Sequence, residues 1–266
     1  MTEINKGKFE YQGIPVVYHK AGSGPPLLIL HGWGSSSRVM LPVARALSDI
    51  RTCYIPDLPG FGETPSPVNA WGISDFTGFA RVFARKVIGK STDVLAHSFG
   101  GRITLKWAAG NCGELTKIII TGGAGMKPKR SFSYYRRRFT ASVLKAPFAL
   151  LPPILKTKAL DWLRNADFWK SFGSSDYQKL DGVMRETFVR SVSEHLEYCL
   201  PHISHEVLLL WGKEDEATPW YQAERMEKGL KNGALVGIDR AGHYAFLDQP
   251  DRFQRIARAF LKHDNV

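Results

Sequence analysis

Short apolar segments alternate with segments of helical character along most of the chain. Several of these segments are continuously apolar, which is typical of strands that are covered on both faces of a sheet. The predicted strands lie at residues 27–30, 52–55, 94–96, 117–120, 207–211 and 235–238. Strands that alternate with helices in this way predict an α/β fold with a mostly parallel twisted sheet and helices on both faces.

Three further patterns precede the strand at 94–96. Residues 9–19 alternate around Gly13 and predict an opening β-hairpin. The apolar positions between Val39 and Leu47 predict a helix, and the serines at 35–37 are expected to cap it. Residues 75–90 also have helical character. These elements lead to the strand where the candidate chemistry is concentrated.

The strand at 94–96 ends at a sharp turn that contains Ser98, and a helical pattern follows at once. A serine on such a turn has a strained backbone that exposes its hydroxyl beside a helix N-terminus. The turn requires small neighbours, which Ala96 and Gly100 provide, and Gly101 lets the helix approach the sheet. The usual motif is G-x-S-x-G, and this chain has A-H-S-F-G. On the motif alone, an ordinary buried serine remains the alternative.

The length, the first residues and the cysteines indicate the class of protein. The 266 residues fit one large α/β domain with an insertion. The first residues are polar and lack the features of a signal peptide, and no segment is long enough to span a bilayer. The cysteines at 53, 112 and 199 are far apart, which suits reduced thiols in a reducing compartment. We therefore expect a cytoplasmic protein.

Four segments follow strands and are expected to meet at one edge of the sheet. They are residues 31–34, 57–64 and 122–125, together with Ser98. Ligands of parallel sheets bind beyond the carboxyl ends of the strands, so one site can use all four segments. With these motifs the sequence resembles the α/β-hydrolase superfamily, in the serine-nucleophile branch with an H-G-x oxyanion loop and a helical cap. The resemblance to carboxylesterases and C–C bond hydrolases covers nearly the whole chain except the cap.

The resemblance implies a catalytic triad of Ser98, Asp215 and His243. Asp215 follows the strand at 207–211, in the spacing W-G-x-x-D-x-x-x-P, and matches the family's acid. His243 follows the last strand and matches the family's base. The order Ser, Asp, His along the chain is also the family's order. The competing acids are Glu214, Glu216 and Asp239.

Each implied residue has a chemical reason. A serine hydroxyl is a poor nucleophile at neutral pH and needs a base such as the imidazole of His243. The imidazole needs a carboxylate on its other nitrogen to fix its tautomer and balance its transient charge, a role for Asp215. The developing oxyanion needs fixed donors, and the resemblance implies the backbone N–H groups of Trp33 and Phe99.

Other residues near these segments are candidates for binding or for support. His31 is expected to shape its loop through bonds to the backbone, and Asp57 is expected to brace its turn. His97 is a candidate for contact with substrate, although a packing role beside the nucleophile is equally open. The complete set of candidate substrate-binding residues is His97, Tyr134, Tyr135 and Tyr244.

Residues 126–193 interrupt the strand pattern and are rich in aromatic side chains, so we expect a helical cap inserted into a core of 1–125 and 194–266. Between Lys127 and Lys158 there are nine basic residues and no acidic one, which accounts for most of the net charge of +11. A solvated face, attraction of anionic substrates and contact with an anionic membrane surface are the three interpretations. Residues 143–155 are apolar but broken by prolines, and are too short to span a membrane.

The sequence predicts no metal and no cofactor, because the remaining histidines lack a paired metal-ligand spacing with nearby acids. No nucleic-acid recognition motif accompanies the positive charge, so nucleic acid is not expected as a partner. The expected partner is a small-molecule ester, anionic or hydrophobic, and peripheral membrane contact is left open. The oligomeric state is open as well.

The predicted function is that of a serine hydrolase that cleaves carboxylic esters of a hydrophobic or aromatic acid or alcohol through an acyl-enzyme. One alternative is C–C bond hydrolysis of vinylogous diketones, although the G-N-S-M-G-G motif common in that group is absent. The other is a ligand-binding receptor that retains the fold. Epoxide hydrolases and haloalkane dehalogenases share the H-G-W segment but use a carboxylate nucleophile, which Ser98 argues against.

Overall fold

The computed structural model describes residues 3–110, 113–129 and 182–262. The chain divides into two compact units, one of Met1–Lys127 with Glu186–Val266 and one of Pro128–Arg185. The predicted cap at 126–193 contains the whole second unit, but residues 130–181 lie outside the described residues. The role of this segment as a cap therefore stays a prediction.

Eight strands of the described residues form one sheet, in the order β1-β2-β4-β3-β5-β6-β7-β8. All pairs from β4 onwards in this order are parallel, whereas β2 is antiparallel to both β1 and β4. The strands are β1 Ile4–Tyr11, β2 Ile14–Ala21, β3 Pro26–Leu30, β4 Thr52–Pro56, β5 Thr92–His97, β6 Leu115–Thr121, β7 Val207–Gly212 and β8 Gly233–Ile238. The predicted mostly parallel sheet is confirmed.

The opening hairpin is confirmed and is longer than the sequence pattern indicates. Strand β1 begins at Ile4 rather than at Phe9. The turn to β2 consists of Gln12 and Gly13, whose φ angles of 51° and 78° are both positive. Two such residues form the turn that matches the twist of paired antiparallel strands.

Helices connect the parallel strands and cover the sheet. The helices are α1 Ser37–Leu47, α2 Ile73–Phe83, α3 Phe99–Ala109, α4 Gly182–Ser193, α5 Trp220–Gly229, α6 Ala245–Asp248 and α7 Pro250–Lys262. Helix α2 continues into a wider π-helical turn at Ala84–Ile88, so the helical character of residues 75–90 corresponds to two elements. A 3₁₀-helix at Glu197–His202 follows α4.

The core has one layer of helices on each face of the sheet. On one face Leu27 and Ile29 of β3 belong to a buried cluster with Met40 of α1 and Phe253 of α7. On the other face α3 lies so close to the sheet that a Cβ on Gly100 would be 2.7 Å from the Leu30 carbonyl oxygen. The sheet thus presents the carboxyl ends of its central strands directly to the start of α3.

Helix α1 is capped in a way that the sequence pattern does not predict. Ser36 is the N-cap residue, but its side chain makes no capping hydrogen bond, so capping by the serines is wrong. The N–H of Ser37 instead donates to Asp57 Oδ1 at 2.6 Å. Asp57 Oδ2 accepts from the N–H of Glu63 at 2.9 Å, so Asp57 also braces its own loop as predicted.

A buried ion pair lies at the amino ends of the central strands. Arg51 Nε donates to Asp93 Oδ2 at 2.9 Å, and the two side chains are only 10% and 8% exposed. The other oxygen of Asp93 accepts from Thr116 Oγ1 at 2.5 Å and from the N–H of Lys117 at 3.1 Å. The guanidinium of Arg51 also donates to the carbonyl oxygen of Leu261. The start of β5 is therefore tied to β6 and to the end of α7.

Candidate active site

Ser98 lies between the end of β5 and the start of α3 in a strained backbone conformation. Its φ and ψ angles are 50° and −105°, a conformation that costs a residue with a side chain on the order of 1–3 kcal/mol. The Ser98 N–H donates to the Thr121 carbonyl oxygen at 3.0 Å. The Ser98 carbonyl oxygen accepts from the N–H of Gly101 at 3.0 Å and of Ala124 at 3.1 Å. The ends of β5 and β6 together hold the strained residue in place.

The small residues around Ser98 are needed for close backbone contacts. A Cβ on Gly100 would lie 2.7 Å from the Leu30 carbonyl oxygen, and a Cβ on Gly101 would lie 3.1 Å from Gly123 Cα. Ala96 is completely buried. The predicted need for small residues in this turn is confirmed at Gly100 and Gly101.

His243 and Asp215 meet beyond the ends of β8 and β7. His243 Nδ1 lies 2.9 Å from Asp215 Oδ2, and the Asp215 side chain is fully covered. Because a carboxylate only accepts hydrogen bonds, Nδ1 carries the hydrogen and Nε2 keeps a lone pair. Burial alone raises the pKa of Asp215, but hydrogen bonds from His243 and Thr218 outweigh it and lower that pKa below its usual range. Asp215 is therefore a charged partner for the imidazole.

Gly122 connects the serine turn with the histidine. It follows Thr121, which accepts the Ser98 N–H, and a Cβ on Gly122 would lie 3.0 Å from His243 Nδ1. The serine turn and the His243 ring are thus neighbours across one residue. The Ser98 hydroxyl itself makes no hydrogen bond to a described residue. The structure brings the acid and the base into contact and places the serine on the adjacent turn.

The loop after β3 lies against the serine turn and is shaped by His31. The His31 Nδ1–H donates to the Gly32 carbonyl oxygen at 2.8 Å, and Nε2 accepts from the N–H of Leu58 at 3.0 Å. Burial lowers the pKa of His31, which agrees with a neutral ring that uses one nitrogen as donor and the other as acceptor. His31 therefore bonds to loop backbone, as predicted.

Two backbone N–H groups next to Ser98 have no partner within the part of the chain that the structure describes. Gly32 lies close to the serine, since a Cβ on it would be 3.3 Å from Ser98 Cβ. Trp33 follows Gly32, and Phe99 is the first residue of α3. Within the described ranges neither the Trp33 N–H nor the Phe99 N–H has a hydrogen-bond partner. Two donors beside one serine can bind an oxygen atom that carries negative charge.

The fold agrees with comparisons with known proteins. A family model described as alpha/beta hydrolase fold matches residues 25–250. The chain belongs to the α/β-hydrolase fold family. Its eight-stranded, mostly parallel sheet and its interleaved helices are those of the family fold.

Individual α/β-hydrolases are similar over nearly the whole chain. A 2-hydroxy-6-oxononadienedioate/2-hydroxy-6-oxononatrienedioate hydrolase from Dechloromonas aromatica is 25% identical, over 94% of this chain and 88% of the relative. A pimeloyl-[acyl-carrier protein] methyl ester esterase from Nitrosomonas europaea is 22% identical, over 87% of this chain and 94% of the relative. The crystal structure of a membrane phospholipase A, a bacterial virulence factor, superimposes with a TM-score of 0.74 at 22% identity, covering 97% of this chain and 86% of that one.

Aromatic side chains pack on Trp33 and Phe99, the two residues that carry these amides. The Trp33 ring makes edge-on contacts with Phe61, Phe99 and Phe188, at centroid distances of 4.9, 5.1 and 5.1 Å. Phe99 packs in turn on Phe76 at 5.0 Å. Aromatic pairs of this geometry form rigid apolar surfaces. The site therefore has polar donors next to an apolar wall.

The two predicted substrate-binding residues that the structure describes, His97 and Tyr244, differ in exposure. His97 is only 1% exposed, and its Nε2 lies 3.1 Å from the His243 carbonyl oxygen, which favours the packing role that the sequence left open. Tyr244 is 38% exposed and lies beside His243, with a ring distance of 5.5 Å. Tyr134 and Tyr135 lie outside the described residues.

The three competing acids lie away from the imidazole. Asp239 forms ion pairs with Lys213 at 2.6 Å and Arg252 at 2.9 Å. Glu214 and Glu216 are exposed on either side of Asp215. Among the described contacts of His243, Asp215 supplies the carboxylate.

The sequence did not single out Thr218. Its N–H donates to Asp215 Oδ1 and its hydroxyl donates to Asp215 Oδ2, both at 2.8 Å. The signal is the short polar residue three positions after the acid, because aspartate side chains commonly bond to backbone a few residues later. Thr218 is thus part of the support of the acid.

The structure gives no indication of a metal or of a membrane span in the parts that it describes. No group of three or more His, Cys, Asp or Glu side chains suited to a metal ion occurs among the described residues. In the same part of the chain, no helix has the length and apolar character needed to cross a membrane.

Proposed function

We propose that the protein is a serine hydrolase in which Ser98 is the nucleophile, His243 the general base and Asp215 the acid that orients the base. The observation that carries this proposal is the 2.9 Å contact between His243 Nδ1 and Asp215 Oδ2 beside a serine with a φ of 50°. A strained serine next to an oriented imidazole is the arrangement that activates a hydroxyl.

In the first half of the reaction, His243 Nε2 takes the proton of the Ser98 hydroxyl while Oγ attacks the carbonyl carbon of the substrate. The N–H groups of Trp33 and Phe99 stabilise the negative oxygen of the tetrahedral intermediate. The protonated His243 then gives its proton to the leaving group, and the acyl group remains on Ser98. Asp215 stays ionised throughout and balances the charge on the imidazolium.

In the second half, water replaces the leaving group. His243 Nε2 takes a proton from the water, whose oxygen attacks the acyl-enzyme carbonyl. The same two N–H groups bind the second oxyanion. The acid product then leaves as Ser98 recovers its proton from His243. No metal or cofactor is needed for either half.

We propose carboxylic esters with an apolar group next to the carbonyl as substrates. The aromatic contacts of Trp33 with Phe61 and Phe188 place an apolar surface beside the proposed oxyanion donors. Tyr244, exposed next to His243, is proposed as a contact for the leaving group. Similarity to the pimeloyl methyl ester esterase supports ester cleavage.

Hydrolysis of a C–C bond in a vinylogous diketone is the second candidate. It is supported by similarity to the 2-hydroxy-6-oxononadienedioate hydrolase, whose named substrate is such a compound. The same triad serves both reactions, so only activity towards defined substrates distinguishes the two candidate functions. Comparing turnover of a 2-hydroxy-6-oxo-dienoate with turnover of a p-nitrophenyl acylate of similar length separates the two.

The proposal is tested by labelling with a fluorophosphonate and by turnover of p-nitrophenyl esters. The wild-type chain should be labelled once and should hydrolyse the ester, whereas Ser98→Ala should do neither. Ser66→Ala, which changes an exposed serine well before Ser98 in the chain, is the matched control and should behave as wild type. Labelling or turnover that survives in Ser98→Ala would remove Ser98 as the nucleophile, and binding of esters without turnover would favour a receptor.

A further inference from the structure

His97 connects the serine strand to the loop of the base. It is the last residue of β5, directly before Ser98. Its Nε2 lies 3.1 Å from the carbonyl oxygen of His243, a residue 146 positions later. Because a carbonyl only accepts, Nε2 carries the hydrogen and donates. This hydrogen bond ties the backbone of the proposed base to the strand of the proposed nucleophile.

The other edge of the His97 ring supports the loop after β3. A Cβ on Gly32 would lie 2.9 Å from His97 Nδ1, which is closer than real Cβ contacts allow. The Nδ1 atom is buried and has no hydrogen-bond partner among the described residues. The loop that presents the Trp33 N–H therefore rests directly on the imidazole, and glycine is the residue that fits there.

Aromatic neighbours hold the ring between these two contacts. The His97 ring lies 4.8 Å from the rings of His243 and Tyr244 and 5.2 Å from the ring of Phe246. With 1% of the residue exposed, the imidazole has no room to change its position. Its place is fixed by packing on all sides.

The neutral state of His97 suits this location. Burial, and next to it the proximity of His243, lower the pKa of His97 to about 3. A second positive charge there would oppose the imidazolium that forms on His243 during the proposed reaction. A neutral ring that donates from one nitrogen avoids this repulsion.

We propose that His97 is a positioning residue that sets the spacing between Ser98, the His243 backbone and the loop carrying Trp33. Its described hydrogen bond is to the His243 backbone and not to a reacting atom, so it acts through the three groups that it positions. The inference rests on the proposed function, since it concerns the geometry of that triad and oxyanion site. A misplacement of about 1 Å in such a site lowers the rate by roughly 100-fold.

Three variants test this role. His97→Gln keeps an N–H group at the same reach as Nε2, whereas His97→Met has a comparable size but no donor for the His243 carbonyl. Phe253→Leu changes a completely buried ring that packs on Phe246, with a centroid distance of 5.9 Å, and has no described contact with His97, so it is the matched structural control. The readout is kcat per active site titrated with a fluorophosphonate, because titration removes misfolded molecules from the comparison.

His97→Met should lower kcat per titrated site by roughly 10- to 100-fold, with KM within about twofold, because the reacting groups and not the binding surface are displaced. His97→Gln should keep kcat within about threefold of wild type. Phe253→Leu should lower thermal stability with little change in kcat per site. A kcat per site of His97→Met equal to wild type, or a loss in His97→Gln as large as in His97→Met, would overturn the inference.

Two further variants cover the other outcomes. If His97→Met does not fold, Gly32→Ala places a methyl group against Nδ1 and should also lower kcat per site, while an unchanged value would overturn the inference. Ser98→Ala tests the proposed function separately. Turnover that persists in Ser98→Ala would overturn the proposed function. Loss of turnover in Ser98→Ala together with normal turnover in His97→Met would overturn only the role of His97.

Discussion

The Thr218 hydroxyl donates a 2.8 Å hydrogen bond to Asp215 Oδ2, the same oxygen that lies 2.9 Å from His243 Nδ1. The N–H of Thr218 donates to the other oxygen, also at 2.8 Å. The buried carboxylate thus has three donors, and a single residue supplies two of them. Burial raises the pKa of Asp215, but the donors from His243 and Thr218 outweigh this effect and keep that pKa below its usual range.

Thr218→Val should therefore destabilise the protein at neutral pH. A hydrogen bond to a charged group contributes about 1.5–3 kcal/mol, and we expect a loss of that size in the free energy of unfolding at about pH 7. Because the folded-state pKa of Asp215 is lowered, its stabilisation exists above the unfolded-state pKa and is lost as the pH falls through the folded-state pKa. The difference between Thr218→Val and wild type should thus narrow below about pH 4.

Urea denaturation at several pH values measures this difference. Thr218→Ser keeps the hydroxyl and is the matched control, which should lie within about 1 kcal/mol of wild type. A difference between Thr218→Val and wild type that stays constant from neutral to acid pH would mean that the hydroxyl does not stabilise the charged carboxylate.

Asp215→Asn should lower kcat by about 10⁴ while the fold is retained, because the amide cannot hold the imidazole in its Nδ1–H tautomer. Asp239→Asn is the control, since Asp239 is paired with Lys213 and Arg252 at the surface and should give near-normal turnover. Steady-state kinetics and thermal melting of both variants provide the measurement. A larger loss of kcat in Asp239→Asn than in Asp215→Asn would transfer the role of the acid.

Much of the fold can be predicted from the sequence because the central strands are covered on both faces. This makes segments such as those of β3 and β7 continuously apolar, and they are recognisable without knowledge of their partners. The serine turn is recognisable for a similar reason, since Gly100 and Gly101 are local requirements of a close strand-to-helix turn. Such features depend on residues that are neighbours in the chain.

The features that the sequence did not predict depend on side chains that meet only in the folded chain. Asp57 caps α1 from 20 residues away, in place of the adjacent serines. The bond from His97 to the His243 carbonyl spans 146 residues. A periodic pattern reports which face of an element is buried, but not which distant polar group lies within hydrogen-bond reach of it.

Gly122→Ala should lower both turnover and stability, whereas a matched glycine variant away from the site should lower stability alone. Gly122 has a φ of 54°, and an added Cβ would lie 3.0 Å from His243 Nδ1. A side chain at positive φ costs roughly 1–2 kcal/mol, and displacement of the imidazole should lower kcat about tenfold or more. Gly13→Ala is the matched control, because Gly13 has a φ of 78° and no neighbour within 4 Å of an added Cβ. Melting curves should show similar losses of stability in the two variants, and kinetics should show a loss of kcat only in Gly122→Ala. Equal kcat values in both variants would contradict this expectation.

Asp93→Ala should destabilise the core strongly. It leaves the guanidinium of Arg51 buried without its carboxylate, and breaking a buried pair in this way costs about 3–5 kcal/mol. Asp49→Ala removes an ion pair with Arg258 in which the aspartate side chain is 60% exposed, and it should give a much smaller loss. Chemical denaturation of both variants measures the two values. Equal losses would show that the Arg51 pair is accessible to water.

The pH dependence of stability should contain a contribution from His97. Burial lowers the pKa of His97 to about 3 in the folded chain, whereas the ordinary value for histidine in an unfolded chain is about 6.5. Between these two values the unfolded chain binds a proton that the folded chain does not, so stability falls as the pH falls below about 6.5. One proton corresponds to about 1.4 kcal/mol per pH unit.

His97→Gln should remove this contribution, because glutamine does not titrate in the range. In urea denaturation at about pH 6, 5 and 4, the stability of wild type should decrease more steeply than that of His97→Gln, by up to about 1.4 kcal/mol per pH unit. Burial also lowers the pKa of His31, but His31 is present in both proteins and its contribution cancels in the difference. Equal slopes would mean that His97 binds its proton in the folded chain as readily as in the unfolded chain, which a ring enclosed by His243, Tyr244 and Phe246 should not do.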